Sequence, residues 1–152
     1  MFESRFESGN LALALKLSDT EYNLILQNDI NTRGHTQWFF YRVENTFSGQ
    51  AIKFNLLNHT KPDSLFNYGM KVLVYSEKAE GSSWIRSGRD ISYYQNNIKK
   101  DTTGRSRYYY TLSFTYDFEF SKDVVYFAYC YPYTYTDLNR ELADVAKDRR
   151  RG

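Results

Sequence analysis

Three side chains in this 152-residue chain could hold a transition metal through imidazole or thiolate: His35, His59 and Cys130. Zinc needs three or four such ligands, with or without carboxylates, converging on one point. Trp38 stands three places after His35 and Pro62 three places after His59, so neither histidine begins a His-x-x-Glu or His-Glu-x-x-His pair. The expectation is that the chain holds no metal, with His35 in a turn and His59 in a loop. Cys130 closes an apolar run from Asp123, where a buried thiol has a raised pKa and is a poor nucleophile. There is no Gly-x-Ser-x-Gly elbow and no phosphate-binding glycine loop. Asp117 and Glu119 stand two apart and so share one face of a strand, where they read as a solvated face rather than an acid–base pair. Asn58-His59-Thr60 matches the N-glycosylation pattern. The opening Met1-Phe2-Glu3-Ser4-Arg5 lacks the basic and apolar regions of a secretory signal, so the acceptor is expected to stay unused. No catalytic residue, metal ligand or cofactor is assigned within the chain.

Binding is better represented than catalysis. In Tyr129-Cys130-Tyr131-Pro132-Tyr133-Thr134-Tyr135 the proline removes a ladder donor and ends the strand. Tyr131, Tyr133 and Tyr135 are then expected on an extended segment at the domain's edge, either as an interface or as a packed edge. Arg33-Gly34-His35-Thr36-Gln37-Trp38 reads as a polar loop entering an aromatic strand; Arg33, His35 and Trp38 can meet a partner there, or the loop is a plain turn. Between residues 86 and 107, Arg86, Arg89, Lys99, Lys100, Arg105 and Arg107 outnumber Asp90 and Asp101 by four. They can steer an acidic peptide or form a solvated loop. Arg149, Arg150 and Arg151 form a second basic cluster.

The elements that must position these residues follow from composition and period. Fifteen Tyr, eleven Phe and two Trp, with only two Pro, fit a β-rich domain rather than a disordered chain. The net charge of +2 is far from that of a nucleic-acid-binding domain, and no apolar run is long enough to span a membrane. A single cysteine excludes an internal disulfide. The expected setting is the cytoplasm, with neither nucleic acid nor membrane as partner. Leu11, Leu13, Leu15 and Leu17 alternate with Ala12, Ala14 and Lys16. Strands are predicted at 11–17, 22–28, 37–45, 50–57, 70–76, 84–86, 91–95, 108–120 and 123–130. Asn45-Thr46-Phe47-Ser48-Gly49 supplies a turn. Between 108 and 120 every even position is Tyr, Leu or Phe, and the odd positions from 111 are Thr, Ser, Thr, Asp and Glu, which makes one greasy strand face. The run 123–130, apolar on both faces, suggests a central strand covered on both sides. Thr136-Asp137 can cap a helix carrying Leu138, Leu142 and Val145 at i, i+4 and i+7. The fold class is all-β, an antiparallel β-sandwich of about eight or nine strands over 1–136, followed over 137–152 by a short helix or linker, or the start of a link to a further domain.

The ordered residues also resemble a known family. Phe6-Glu7-Ser8-Gly9-Asn10-Leu11, Glu21-Tyr22, Asp29-Ile30-Asn31-Thr32 and Gln37-Trp38-Phe39-Phe40 are similar to the opening of the N-terminal domain of cytosolic carboxypeptidases. Phe54-Asn55, Lys61 with Ser64-Leu65, Gly69-Met70, Trp84 and Tyr93-Tyr94 follow in the family's order. The most specific stretch runs from Val125 to Thr136, VYFAYCYPYTYT, and the resemblance covers about residues 2–142. It implies a noncatalytic β-sandwich domain of a zinc metallocarboxypeptidase. In that family the zinc ligands, a His-x-x-Glu pair with a later His, and the catalytic Glu lie in a following α/β domain. No residue here matches them, so zinc is expected in that absent domain. The implied partners are the catalytic domain of the same parent chain and, through it, polyglutamylated tails such as those of tubulin. The rival expectation is a stand-alone aromatic-rich module for a peptide or carbohydrate.

Overall fold

Alternating apolar residues need a second surface to close on, and here two sheets supply it for each other. The structure, a computed structural model, describes residues 1–32, 34–100 and 107–147. One sheet takes β1 (Phe2–Glu3), β4 (Phe40–Glu44), β10 (Val124–Ala128), β6 (Val72–Ser76) and β7 (Ile85–Ser87), in the order β1-β4-β10-β6-β7. The other takes β2 (Leu11–Ser18), β3 (Glu21–Leu26), β5 (Ala51–His59), β9 (Arg107–Asp117) and β8 (Arg89–Lys100), in the order β2-β3-β5-β9-β8. The all-β sandwich is as expected, with ten strands among the described residues. β3 and β5 run parallel, because the intervening β4 crosses to the other sheet; the other pairs are antiparallel.

The core between the sheets is aromatic. Phe54, Phe114, Phe127, Tyr41 and Phe39 have no solvent exposure. Phe127 stacks on Tyr41 at 5.3 Å and lies 5.2 Å from Phe54 and from Tyr116. β10 sits at the centre of its sheet, as its doubly apolar run suggests. Its outer face is closed by Phe40, Leu73 and Ala128, with Phe6, Trp38, Trp84 and Tyr126 packed around them. The turn at 45–49 also forms, with Asn45 at φ 55° and Gly49 at φ 77°.

Four sequence expectations change. A register shift between Leu11 and Leu13 places one residue out of step. A one-residue slip moves a strand's side chains to the opposite face. Leu11 and Ala14 therefore face the core, while Leu13, Leu15 and Leu17 face outward and are about half exposed. Thr111 and Ser113, on the polar face of β9, are buried. The Ser113 hydroxyl donates to Asn55 Oδ1 at 2.8 Å, and Asn55 Nδ2 donates to Glu21 and Asn23 at 2.9 and 3.1 Å. Asn96 Nδ2 donates to Thr111 Oγ1 at 2.9 Å and to the Leu57 carbonyl at 2.8 Å. His59 is the last residue of β5, not a loop histidine, and is 3% exposed. Its ring lies between Phe39 and Tyr93, with centroids at 6.3 and 5.8 Å. Burial pushes its pKa down to about 4. Cys130 falls after β10 has ended, half-buried rather than enclosed in a strand.

The Asn58 amide is also spoken for. It accepts from Leu26 N and donates to Leu26 O, both at 2.9 Å, extending the pairing of β3 and β5 through a side chain.

Candidate functional site

One end of the sandwich gathers four segments that are far apart in sequence: the turn 4–10, the loop 27–32, residues 34–38, and the stretch 129–137 that leaves β10. The turn is held by Gly9, whose N–H donates to Phe6 O at 3.0 Å. A Cβ on Gly9 would stand 2.1 Å from the Ser4 carbonyl oxygen, so only glycine permits this closure. Asn10 ties the turn to the strand behind it: Nδ2 donates to Trp38 O at 2.8 Å and Oδ1 accepts from Phe40 N at 3.0 Å. Trp38 Nε1 donates to Ser8 O at 2.8 Å, locking the indole against the turn.

The loop is tied in the same manner. Asp29 N donates to His35 O at 2.9 Å, and the Thr32 hydroxyl accepts from His35 N at 3.1 Å. The His35 side chain is exposed. Arg33 lies outside the described residues, as do Arg105 and Arg149 to Arg151. Past β10, Tyr129 N donates to Phe39 O at 3.0 Å, and the Tyr129 hydroxyl accepts from Gln37 Nε2 at 2.7 Å.

Tyr131 to Thr134 then runs without regular structure into α1 (Tyr135–Lys147). Tyr135 thus begins the helix rather than lying on the extended segment. The cap is Thr134, two residues before the expected one. Its hydroxyl accepts from Asp137 N at 3.1 Å, and Asp137 Oδ2 accepts from Thr134 N at 3.0 Å, a reciprocal capping box. The Thr134 hydroxyl, which also donates to Asp137 Oδ2 at 2.6 Å, and the Thr134 N–H hold the Asp137 carboxyl below its usual pKa. Glu7 accepts from Thr136 N at 3.0 Å, anchoring the helix start to the turn, and its pKa is lowered by that contact. The Tyr133 hydroxyl donates to Glu141 at 2.7 Å, which raises its pKa.

Together these segments line an open groove of about 560 Å³ with Gly9, Asn10, Gln27, Ile30, Trp38, Cys130, Tyr131 and Tyr133 on its walls. Trp38 and two of the three tyrosines meet here; His35 is tied to the adjoining loop. Tyr131, Tyr133 and Tyr135 are 62%, 56% and 71% exposed, and Ile30 beside them is 87% exposed. No local pattern marks Ile30, Gly9 or Asn10 as one surface with the tyrosines, because the folding of the turn creates it.

The basic residues do not converge. Arg86 donates to Lys71 O at 2.6 Å and Tyr129 O at 3.2 Å, pinning the end of β10. Arg89 makes a two-point pair with Asp117 at 2.8 and 3.0 Å, which lowers the Asp117 pKa. Lys99, Lys100 and Arg107 lie at the other end of β8 and β9, roughly 30 Å from Arg89 at about 3.3 Å per strand residue. Lys100 Nζ donates to Thr60 O at 3.0 Å. Among the described residues no three His, Cys, Asp or Glu side chains come together as a metal-ion cluster, so the residues present do not fit zinc. Among them, too, no helix is long and apolar enough to cross a membrane.

The family described as "Cytosolic carboxypeptidase N-terminal domain" matches residues 2–130. Cytosolic carboxypeptidase 2 of Xenopus tropicalis is 47% identical over 150 residues, covering 97% of this chain and 15% of that protein. Cytosolic carboxypeptidase 3 of Bos taurus is 45% identical over 151 residues, with the same coverages. Among solved structures, a metallo-carboxypeptidase from Pseudomonas aeruginosa superposes with a TM-score of 0.66 at 21% identity, covering 96% of this chain and 33% of that one. One from Burkholderia cenocepacia gives 0.65 at 18% identity, covering 98% and 33%. These structures share the fold. The chain spans about 15% of the length of the curated relatives it matches. It belongs to the family of cytosolic carboxypeptidase N-terminal domains.

Proposed function

We propose that the chain is a noncatalytic β-sandwich that docks on the catalytic domain of a larger zinc metallocarboxypeptidase. In this reading it shapes how glutamate-bearing protein tails, such as those of tubulin, reach the active site. The observation that carries it is the exposed aromatic surface where the chain leaves β10: Tyr131, Tyr133 and Tyr135 beside Ile30 and the Trp38 groove. Tyrosines pair an apolar ring with a polar tip and suit an interface that is built after the sandwich has closed. The matched relatives are carboxypeptidases of which this chain covers about 15%, so most of such a protein lies elsewhere. The zinc and the bond-breaking groups then belong to that other part. The residues of this chain bind and orient, and the rigid ties of Asn10, Trp38 and Arg86 hold the surface in shape.

The test is association in trans. The 152-residue chain and the remainder of its parent protein, expressed separately, should form a one-to-one complex by titration calorimetry. Replacing Tyr131 and Tyr133 together with Ser should weaken it at least tenfold, about 1.4 kcal/mol. Unchanged affinity would move the docking surface elsewhere. Zinc-dependent release of a C-terminal glutamate by the 152-residue chain alone would overturn the noncatalytic reading.

A further inference from the structure

His59 Nε2 is buried and meets no hydrogen-bond partner among the described residues. Buried polar atoms are paired roughly nine times in ten, with protein or with ordered water. At the end of β5 the ring borders a cavity of about 10 Å³, whose walls include Thr36, Gln37, Asp63, Tyr93 and Tyr129. That is room for about one water. Several polar groups on these walls are already engaged. The Thr36 hydroxyl donates to Asn58 O at 2.5 Å, and the Tyr93 hydroxyl donates to Lys61 O at 2.6 Å. The Tyr129 hydroxyl accepts from Gln37 Nε2 at 2.7 Å, but its own proton finds no acceptor among the described residues. One wall therefore offers a donor without an acceptor, and another a ring nitrogen without a partner. Burial keeps the imidazole neutral, so one nitrogen carries the proton and the other a lone pair. The Thr36 main chain favours a protonated ring nitrogen beside it. With Nε2 the unpartnered one, the proton falls to Nδ1 and the lone pair to Nε2.

We propose that this cavity binds a single structural water, which donates to the bare Nε2 of His59 and accepts from the Tyr129 hydroxyl. Internal waters make about three hydrogen bonds, and the Asp63 carboxylate and the Gln37 amide oxygen can take the second proton. A metal ion is the poorer occupant. The walls bring one imidazole and one carboxylate, and no metal-binding group of three forms among the described residues. The bridge ties the end of β5 to Tyr129, the residue at which the chain leaves β10. The water is thus part of what holds the foot of the tyrosine surface, whether or not that surface docks on a second domain.

A high-resolution crystal structure of the 152-residue chain should show an ordered water within about 3.2 Å of Nε2. Nitrogen-detected NMR of the imidazole should find the proton on Nδ1 and Nε2 bare. Oxygen-17 relaxation dispersion should report one long-lived internal water that Tyr129→Phe releases about tenfold faster, the loss of one hydrogen bond. A cavity without water density would overturn the inference, as would a protein group bonded directly to Nε2 or a proton found on it. An unchanged residence time in a folded Tyr129→Phe chain would also overturn the bridge. Should that variant not fold, the crystal structure and the tautomer of the unsubstituted chain decide the question alone.

Discussion

Enclosed between Phe39 and Tyr93, His59 stays neutral far below the ordinary range of an imidazole, and that has a consequence for stability. Its pKa falls from 6.5 to about 4 on folding, and desolvation of the cation is the main cause. Between those pH values the unfolded chain binds a proton that the folded chain refuses. Stability is therefore greatest above pH 6.5 and declines as the pH falls towards 4. The decline attributable to His59 is about 3 kcal/mol at most, from about 1.4 kcal/mol per pKa unit. Urea unfolding between pH 7.5 and 4.5 should show this slope, and His59→Phe should flatten it; an unchanged slope would assign the acid sensitivity to other groups. Gly9 is the other telling single residue. Its missing Cβ admits the Ser4 carbonyl, so Gly9→Ala forces the turn open. A loss of about 2 kcal/mol or more is expected by denaturant titration, within the range for a steric clash in a folded backbone. The turn also holds Trp38 through Ser8, so the change should appear in tryptophan fluorescence.

At the scale of elements, the aromatic ladder and the side-chain bridge between strands decide stability. Phe127→Ala removes the ring that Tyr41, Phe54, Phe114 and Tyr116 all pack on. A cost of about 3–5 kcal/mol is expected by chemical denaturation. Asn58→Ala strips both hydrogen bonds from Leu26, whose backbone lies in a buried stretch of β3, and should cost about 1–3 kcal/mol. Phe114, Tyr116 and Leu112 were legible as core from the period of 108–120 alone, because an alternating strand offers one apolar face. The same rule applied to 11–17 could not place the leucines, since the register shift after Leu11 is a property of pairing with β3. The burial of Thr111 and Ser113 is not legible, because short hydroxyls look alike whether wet or satisfied by Asn55 and Asn96. The parallel pairing of β3 with β5 arises from the crossing of β4 between sheets, which no local pattern records. The apolar run that continues past Ala128 reads Cys130 into the strand, but the chain bends away there and Arg86 ties the Tyr129 carbonyl instead.

For the whole molecule, the sandwich is closed on the inside and carries an exposed apolar surface at one end. The exposed tyrosines, Ile30 and the apolar side of α1 lie on that end, while other exposed aromatics lie elsewhere, Phe47 in the 45–49 turn and Tyr68 at the end of a short 3-10 helix, Leu65–Tyr68. The tyrosines were legible as candidates from Pro132, although β10 ends at Ala128, four residues before the proline that the sequence reading takes as its end. Their meeting with Trp38 was not, because it depends on the Gly9 turn folding back beneath the indole. The central claim is that the rest of a carboxypeptidase covers this end. Hydroxyl-radical footprinting read by mass spectrometry tests it most directly, comparing the 152-residue chain with the full-length parent. Tyr131, Tyr133 and Tyr135 should oxidise readily in the short chain and at least tenfold more slowly in the full-length protein, with Tyr68 oxidising equally in both. Equal oxidation of the three tyrosines in the two proteins would contradict the claim.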